Sequence, residues 1–144
     1  MNLISIFNAY GSGTRRVRAG LGPELVLNPG FDGSGGWVFQ PNAMETGGYL
    51  DWNVVVDNSN TSQNVHLKEG KLYRCEFTIV VITLGGVKIM CGITMGIVRN
   101  TAETYIQELV CVASENLSLR AVGASSCHID NVSVKEILYR DEDE

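Results

Sequence analysis

The run Leu72-Tyr73-Arg74-Cys75-Glu76-Phe77-Thr78-Ile79-Val80-Val81-Ile82-Thr83-Leu84 constrains this chain more than any other segment. Its first half alternates apolar and polar side chains, the period of a strand with one face buried. Its second half is apolar on both faces. Gly85-Gly86 follows as a hairpin signal, because glycine tolerates the positive φ that tight turns require. Val87-Lys88-Ile89-Met90-Cys91 then reads as the partner strand, with Cys91 sharing the parity of Val87 and Ile89. A segment this apolar needs cover that a single open sheet does not give.

The rest of the chain repeats the pattern. Gly48-Leu50-Trp52-Val54-Val56 alternates with Tyr49-Asp51-Asn53-Val55-Asp57, which predicts a strand whose core face carries Trp52. Asp57-Asn58-Ser59-Asn60 and Glu69-Gly70-Lys71 are turn clusters around a short strand at Gln63–Leu67. Further strands are expected near 104–112, 116–122 and 126–137, and no long helical period occurs. With 16 Gly, 3 Pro and 44% hydrophobic residues in 144 positions, the expectation is one all-β domain. It should be an antiparallel β-sandwich of about eight or nine strands with an extended N-terminal arm.

Three zones follow. Residues 1–22 are the arm: Leu3, Ile4, Ile6, Phe7 and Tyr10, then Arg15, Arg16 and Arg18, with no acidic residue. Disordered leaders are poor in large apolar side chains, so these residues are expected to order against another subunit. Residues 23–138 are the sandwich. Residues 139–144 end in Asp141-Glu142-Asp143-Glu144, a solvated acidic tail that can pair with the arginines of a neighbouring arm.

A formal net charge of −5 argues against a nucleic-acid partner, which needs a basic face. No apolar stretch is long enough to span a bilayer, and the first residues lack the basic start of a secretory signal. The chain is therefore expected to be made in a reducing cytosol. Cys75, Cys91, Cys111 and Cys127 contain no C-x-x-C pair, and Cys75 shares parity with Tyr73, Phe77 and Ile79. Buried free thiols are the expected state, ahead of disulfides or metal.

Catalysis needs a base in reach of a nucleophile, a bound metal, or paired carboxylates. The two histidines, His66 and His128, stand near no nucleophile motif, and Gly11-Ser12-Gly13 opens no helix that would cradle a phosphate. No enzyme activity, catalytic residue or cofactor is expected.

Three ordered motifs carry a resemblance. Glu24-Leu25-Val26-Leu27-Asn28-Pro29-Gly30-Phe31 with Gly35-Gly36-Trp37 opens the domain, and Ser62-Gln63-Asn64-Val65 with Glu69-Gly70-Lys71-Leu72-Tyr73 lies in its middle. Ile129-Asp130-Asn131-Val132-Ser133-Val134-Lys135-Glu136-Ile137 closes it. Over about four-fifths of the chain this resembles jelly-roll domains related to carbohydrate-binding modules, common in tailed-phage structural proteins. Phe31 and Trp37 should then close over the core, the first and last segments should lie side by side, and a bulge should fall at Asp130-Asn131.

The resemblance implies a virion protein, assembled in the host cytoplasm. The leading expectation is a capsid decoration or cement protein, whose arm binds the major capsid protein and other copies of itself in a closed homotrimer. The alternative is a fibre adhesin that binds a host glycan, for which Tyr49 with Asp51 is the first candidate contact and Tyr105 the second. The wider family also implies a structural calcium near Asp32 and Asp130. Calcium takes six or more oxygens, so a hydrogen-bonded Asp130 at the bulge is the expected arrangement and no metal is assigned.

Overall fold

A computed structural model describes residues 14–143. Over the described residues the fold is all-β and antiparallel, with eight strands: β1 Thr14–Leu21, β2 Ala43–Thr46, β3 Tyr49–Val55, β4 Asn60–Asn64, β5 Leu72–Cys91, β6 Thr94–Met95, β7 Thr104–Val110 and β8 Asn116–Asp143. Two of these strands are far longer than the others, and they set the architecture. β5 and β8 pair along almost their whole common length, from Tyr73↔Glu136 to Cys91↔Leu117.

The long pair folds over on itself. Extended, the sixteen residues from Cys75 to Cys91 would span roughly 50 Å. Their sulfurs instead lie 3.1 Å apart, both buried. One layer therefore holds β7, the first half of β5, the second half of β8, then β3 and β2. The other holds β6, the second half of β5, the first half of β8, and β4. The two layers make the expected β-sandwich, and one continuous hydrogen-bonded network joins them at the fold.

The bend sits where the hairpin is expected, but no hairpin forms. Gly85 has φ +73°, yet the chain continues in the same strand, and Val87–Cys91 pairs with β8, not with 72–84. Successive register shifts between Glu76 and Gly86 let the ribbon turn the corner. Three residues of β8, Gly123 to Ser125, lie opposite the single Gly85. The apolar residues beyond Ile79 are not all core: Val80, Val81 and Leu84 emerge to solvent at this corner. The strands expected separately near 116–122 and 126–137 are likewise one strand, β8.

Alternation places the core correctly up to the bulges. Tyr73, Cys75, Phe77 and Ile79 from β5 pack with Leu50 and Trp52 from β3 and with Leu117, Leu119, Ile129, Val132 and Val134 from β8. In β3 the parity switches after Trp52. Val54 takes φ +57° and points outward, while Val55 is fully buried, so the face read as Leu50-Trp52-Val54-Val56 breaks at a bulge. β4 begins and ends earlier than the Gln63–Leu67 strand expected. His66 lies beyond it, exposed, at φ +58°.

The opening and closing motifs sit together as expected. Leu25 N donates to the Val134 carbonyl at 3.0 Å, and Val132 N donates to the Pro29 carbonyl at 3.1 Å. The bulge falls at Asn131, with φ +52°. Asp130 accepts the Asn131 N–H at 2.8 Å. Phe31 and Trp37 stack with ring centres 5.0 Å apart, and Trp37 Nε1 donates to the Asn28 carbonyl at 2.9 Å. Both rings are buried members of the core.

Candidate functional site

The first candidate is the ribbon made by β1 and the end of β8. The sequence puts residues 14–21 in an arm that orders against another subunit and 139–143 in a solvated tail. They instead pair with each other, from Thr14↔Asp143 to Leu21↔Ile137, with a bulge between Arg18 and Gly20. The alternation that marks a strand is hidden here, because Arg15, Arg16 and Arg18 crowd both faces of a strand that is exposed almost throughout.

The opposite charges of arm and tail, able to pair between subunits, meet within one chain. Arg15 reaches Glu142 at 3.3 Å, and the Arg16 guanidinium lies 4.5 Å over the Tyr139 ring. Arg18 makes a two-pronged contact with Glu108 of β7, at 2.7 and 2.8 Å. The hydrogen bonds from Arg18 hold the Glu108 carboxyl below its ordinary range, and Glu108 raises the guanidinium in turn. Hydrogen bonds from Arg140 and then Arg15 lower Glu142 in the same way.

Among the described residues β1 pairs only with β8, and β8 beyond Ile137 pairs only with β1. The ribbon is thus two strands wide, with a peptide edge on each side that no described strand covers. Such a pair is marginal alone and offers a template for a further strand. Leu3, Ile4, Ile6, Phe7 and Tyr10, the apolar part of the expected arm, lie outside the described residues.

The second candidate lies on the outer face of β3 and β8. Antiparallel register puts His128 directly opposite Asp51, with Nε2 to Oδ1 at 3.4 Å. Tyr49 stacks on the His128 ring at 4.2 Å between centres. Beside them is a shallow cleft of about 360 Å³, lined by Asp51, Asn53, Thr83, Ser126 and His128 over Trp52, Val81 and Cys127. Tyr49 and Asp51, named from alternation, therefore share one site, and His128 joins them. No single segment shows that partnership, since it depends on cross-strand register.

Tyr105 belongs elsewhere. Its ring packs on Phe77 at 5.6 Å and under Arg99 at 4.7 Å, and its hydroxyl donates to the Thr101 carbonyl at 2.8 Å. From β7 it holds the preceding loop, at Arg99 and Thr101, to the sandwich. Asp32 is also taken up locally, accepting the Ser34 N–H at 3.0 Å, and hydrogen bonds from Ser34 lower its pKa. Among the described residues no three His, Cys, Asp or Glu side chains gather as a metal site.

Glu24 is a structural residue that motif reading names without explaining. Its carboxylate accepts the N–H of Val134 at 2.8 Å and of Val26 at 3.2 Å. A side chain thereby takes the place of a backbone carbonyl beside the closing strand.

No protein-family model matches the chain, and no curated protein matches it.

Proposed function

We propose that this protein is a non-catalytic structural component of a phage particle, a capsid decoration or cement protein of the jelly-roll type. The observation that carries the reading is the ribbon of β1 and β8. It ends the sandwich in uncovered peptide edges and presents a basic strand on an acidic one. Residues 1–13 continue from it, bearing the apolar side chains of the arm. A neighbouring copy or the major capsid protein adds its own strand or apolar surface there, and many such contacts add up over a symmetric shell. Because residues 14–21 are paired within their own chain, the arm in this proposal is residues 1–13, with the ribbon as its base.

Copy number in purified particles tests the proposal. A decoration protein should give a band comparable with the capsid band. Deleting residues 1–13 should abolish attachment to particles while leaving the β-sheet circular-dichroism spectrum and melting midpoint unchanged. A truncated protein that still coats particles would overturn the arm mechanism.

The stack of Tyr49 on His128 beside Asp51 favours the second reading, a fibre adhesin. Ring faces beside carboxylate and amide groups suit a sugar. In that case the protein is scarce in particles, binds a glycan array, and loses that binding on Tyr49→Ala.

A further inference from the structure

The fold-back of β5 brings two thiols together that the sequence separates. Cys75 and Cys91 are buried in the core, with Sγ atoms 3.1 Å apart. All four cysteines are free in this structure. Closing the gap to a covalent S–S bond of about 2.05 Å needs roughly 1 Å of movement, shared by two side chains. The other two cysteines are differently engaged. Cys111 donates its S–H to the Ser114 carbonyl at 3.1 Å. Cys127 lies on β8 opposite Trp52 and Ile82.

We infer that Cys75 and Cys91 are a specific cross-linking site, which a low-molecular-weight disulfide of the glutathione class converts to an intrachain disulfide. One cysteine loses its proton, and the thiolate attacks a sulfur of the reagent. That sulfur–sulfur bond breaks, and the released thiolate takes up a proton. The second cysteine thiolate then attacks the mixed disulfide, forming the Cys75–Cys91 bond and expelling a second reagent thiol. Two protein thiols are oxidised by two electrons, and one reagent disulfide is reduced to two thiols.

Burial fixes when this happens. Thiolates are the reacting species, and both sulfurs are shut away once the layers close. The exchange therefore takes place during folding, and the finished bond is shielded from reductants. The cross-link joins the two halves of one strand, and with them the two layers, on either side of the bend at Gly85.

Refolding the denatured, reduced full chain in a buffer of glutathione and its disulfide tests it, with a thiol-free control. Free thiols are then alkylated under denaturing conditions, and the chain is digested with trypsin without reduction. Arg74, Lys88, Arg99 and Arg120 place the four cysteines on separate peptides. The expected result is the 75–88 peptide joined to the 89–99 peptide, with Cys111 and Cys127 alkylated. Four alkylated cysteines, or Cys75 joined to another partner, would overturn the inference. The bridged protein should also melt roughly 10 °C above the reduced one, by the chain-entropy cost removed from the unfolded state. A bridged species that melts no higher would overturn the stapling role.

Discussion

Gly85 and Ser125 approach so closely that a Cβ on Gly85 would overlap the Ser125 Oγ and the Ala124 carbonyl. This contact lies at the corner where β5 and β8 pass from one layer to the other. The buried Ser125 hydroxyl donates to the Gly86 carbonyl at 3.0 Å, and its oxygen accepts the Gly86 N–H at 3.2 Å. Ser125 thus bonds both backbone groups of Gly86 at the corner, just past the register shift between Leu84 and Gly86. Gly85→Ala should cost at least about 2 kcal/mol, from a positive φ and an overlap with backbone. Gly123→Ala is the control. It shares φ +73° but has open space at the Cβ, so it should cost only about 1 kcal/mol. Urea denaturation of both variants measures the difference, and equal losses would show that the close approach does not matter.

A second cross-layer contact is polar. Trp52 Nε1 donates to Thr61 Oγ1 at 2.9 Å, and the same hydroxyl donates to Gln40 Oε1 at 2.6 Å. Trp52 and Thr61 are both almost wholly buried. Thr61→Val keeps the shape and removes the hydroxyl, which strands the indole N–H in the core. The expected loss is about 1–3 kcal/mol, read from chemical denaturation. Thr61→Ser keeps the acceptor and should recover most of it. A valine variant as stable as the parent would mean that the indole finds another partner.

Periodicity made the core legible wherever a strand stays regular. Tyr73, Cys75, Phe77 and Ile79 all face inward as their alternation requires, and Trp52 does the same. It failed at bulges, because one inserted residue moves every later side chain to the other face. Val54 and Val55 exchanged places for that reason. Gly85-Gly86 carries the same local signal whether the chain reverses or only bends. The choice was made by β8, far away in sequence, which offers a partner to both halves of β5. The site was legible to a similar degree. Tyr49 and Asp51 follow from alternation, whereas His128 joins them only through register. The pairing of 14–21 with 137–143 was masked by charged residues on an exposed strand.

Glu24 supports a third prediction. Its carboxylate stands in for a backbone acceptor beside Val134, so Glu24→Ala leaves that N–H without a partner at the edge of the sandwich. The cost should be about 1–2 kcal/mol, with faster amide exchange at Val26 and Val134. Glu24→Gln retains one acceptor oxygen and should fall between the two. Unchanged exchange at Val134 in the alanine variant would exclude the role.

The last prediction concerns pH and the ribbon. Hydrogen bonds from Arg18 hold Glu108 below its ordinary value of 4.5 in the folded protein, and Arg140 and Arg15 do so for Glu142. A carboxyl lowered by folding binds fewer protons in the folded state than in the unfolded one. Its contribution is therefore complete above the ordinary value and is lost as pH falls through the lowered one. The ribbon should stay docked at neutral pH and loosen as the medium is acidified below about pH 4.5. Both carboxylates are exposed, so the effect should be local, and high salt should weaken it. Nitrogen-15 relaxation offers the readout: residues 14–21 and 137–143 should gain fast motion in acid while β5 stays rigid. Glu108→Gln should produce part of the same loosening at pH 7. If the ribbon is as rigid in acid as at neutrality, backbone pairing alone holds it, and the Arg18–Glu108 contact is incidental.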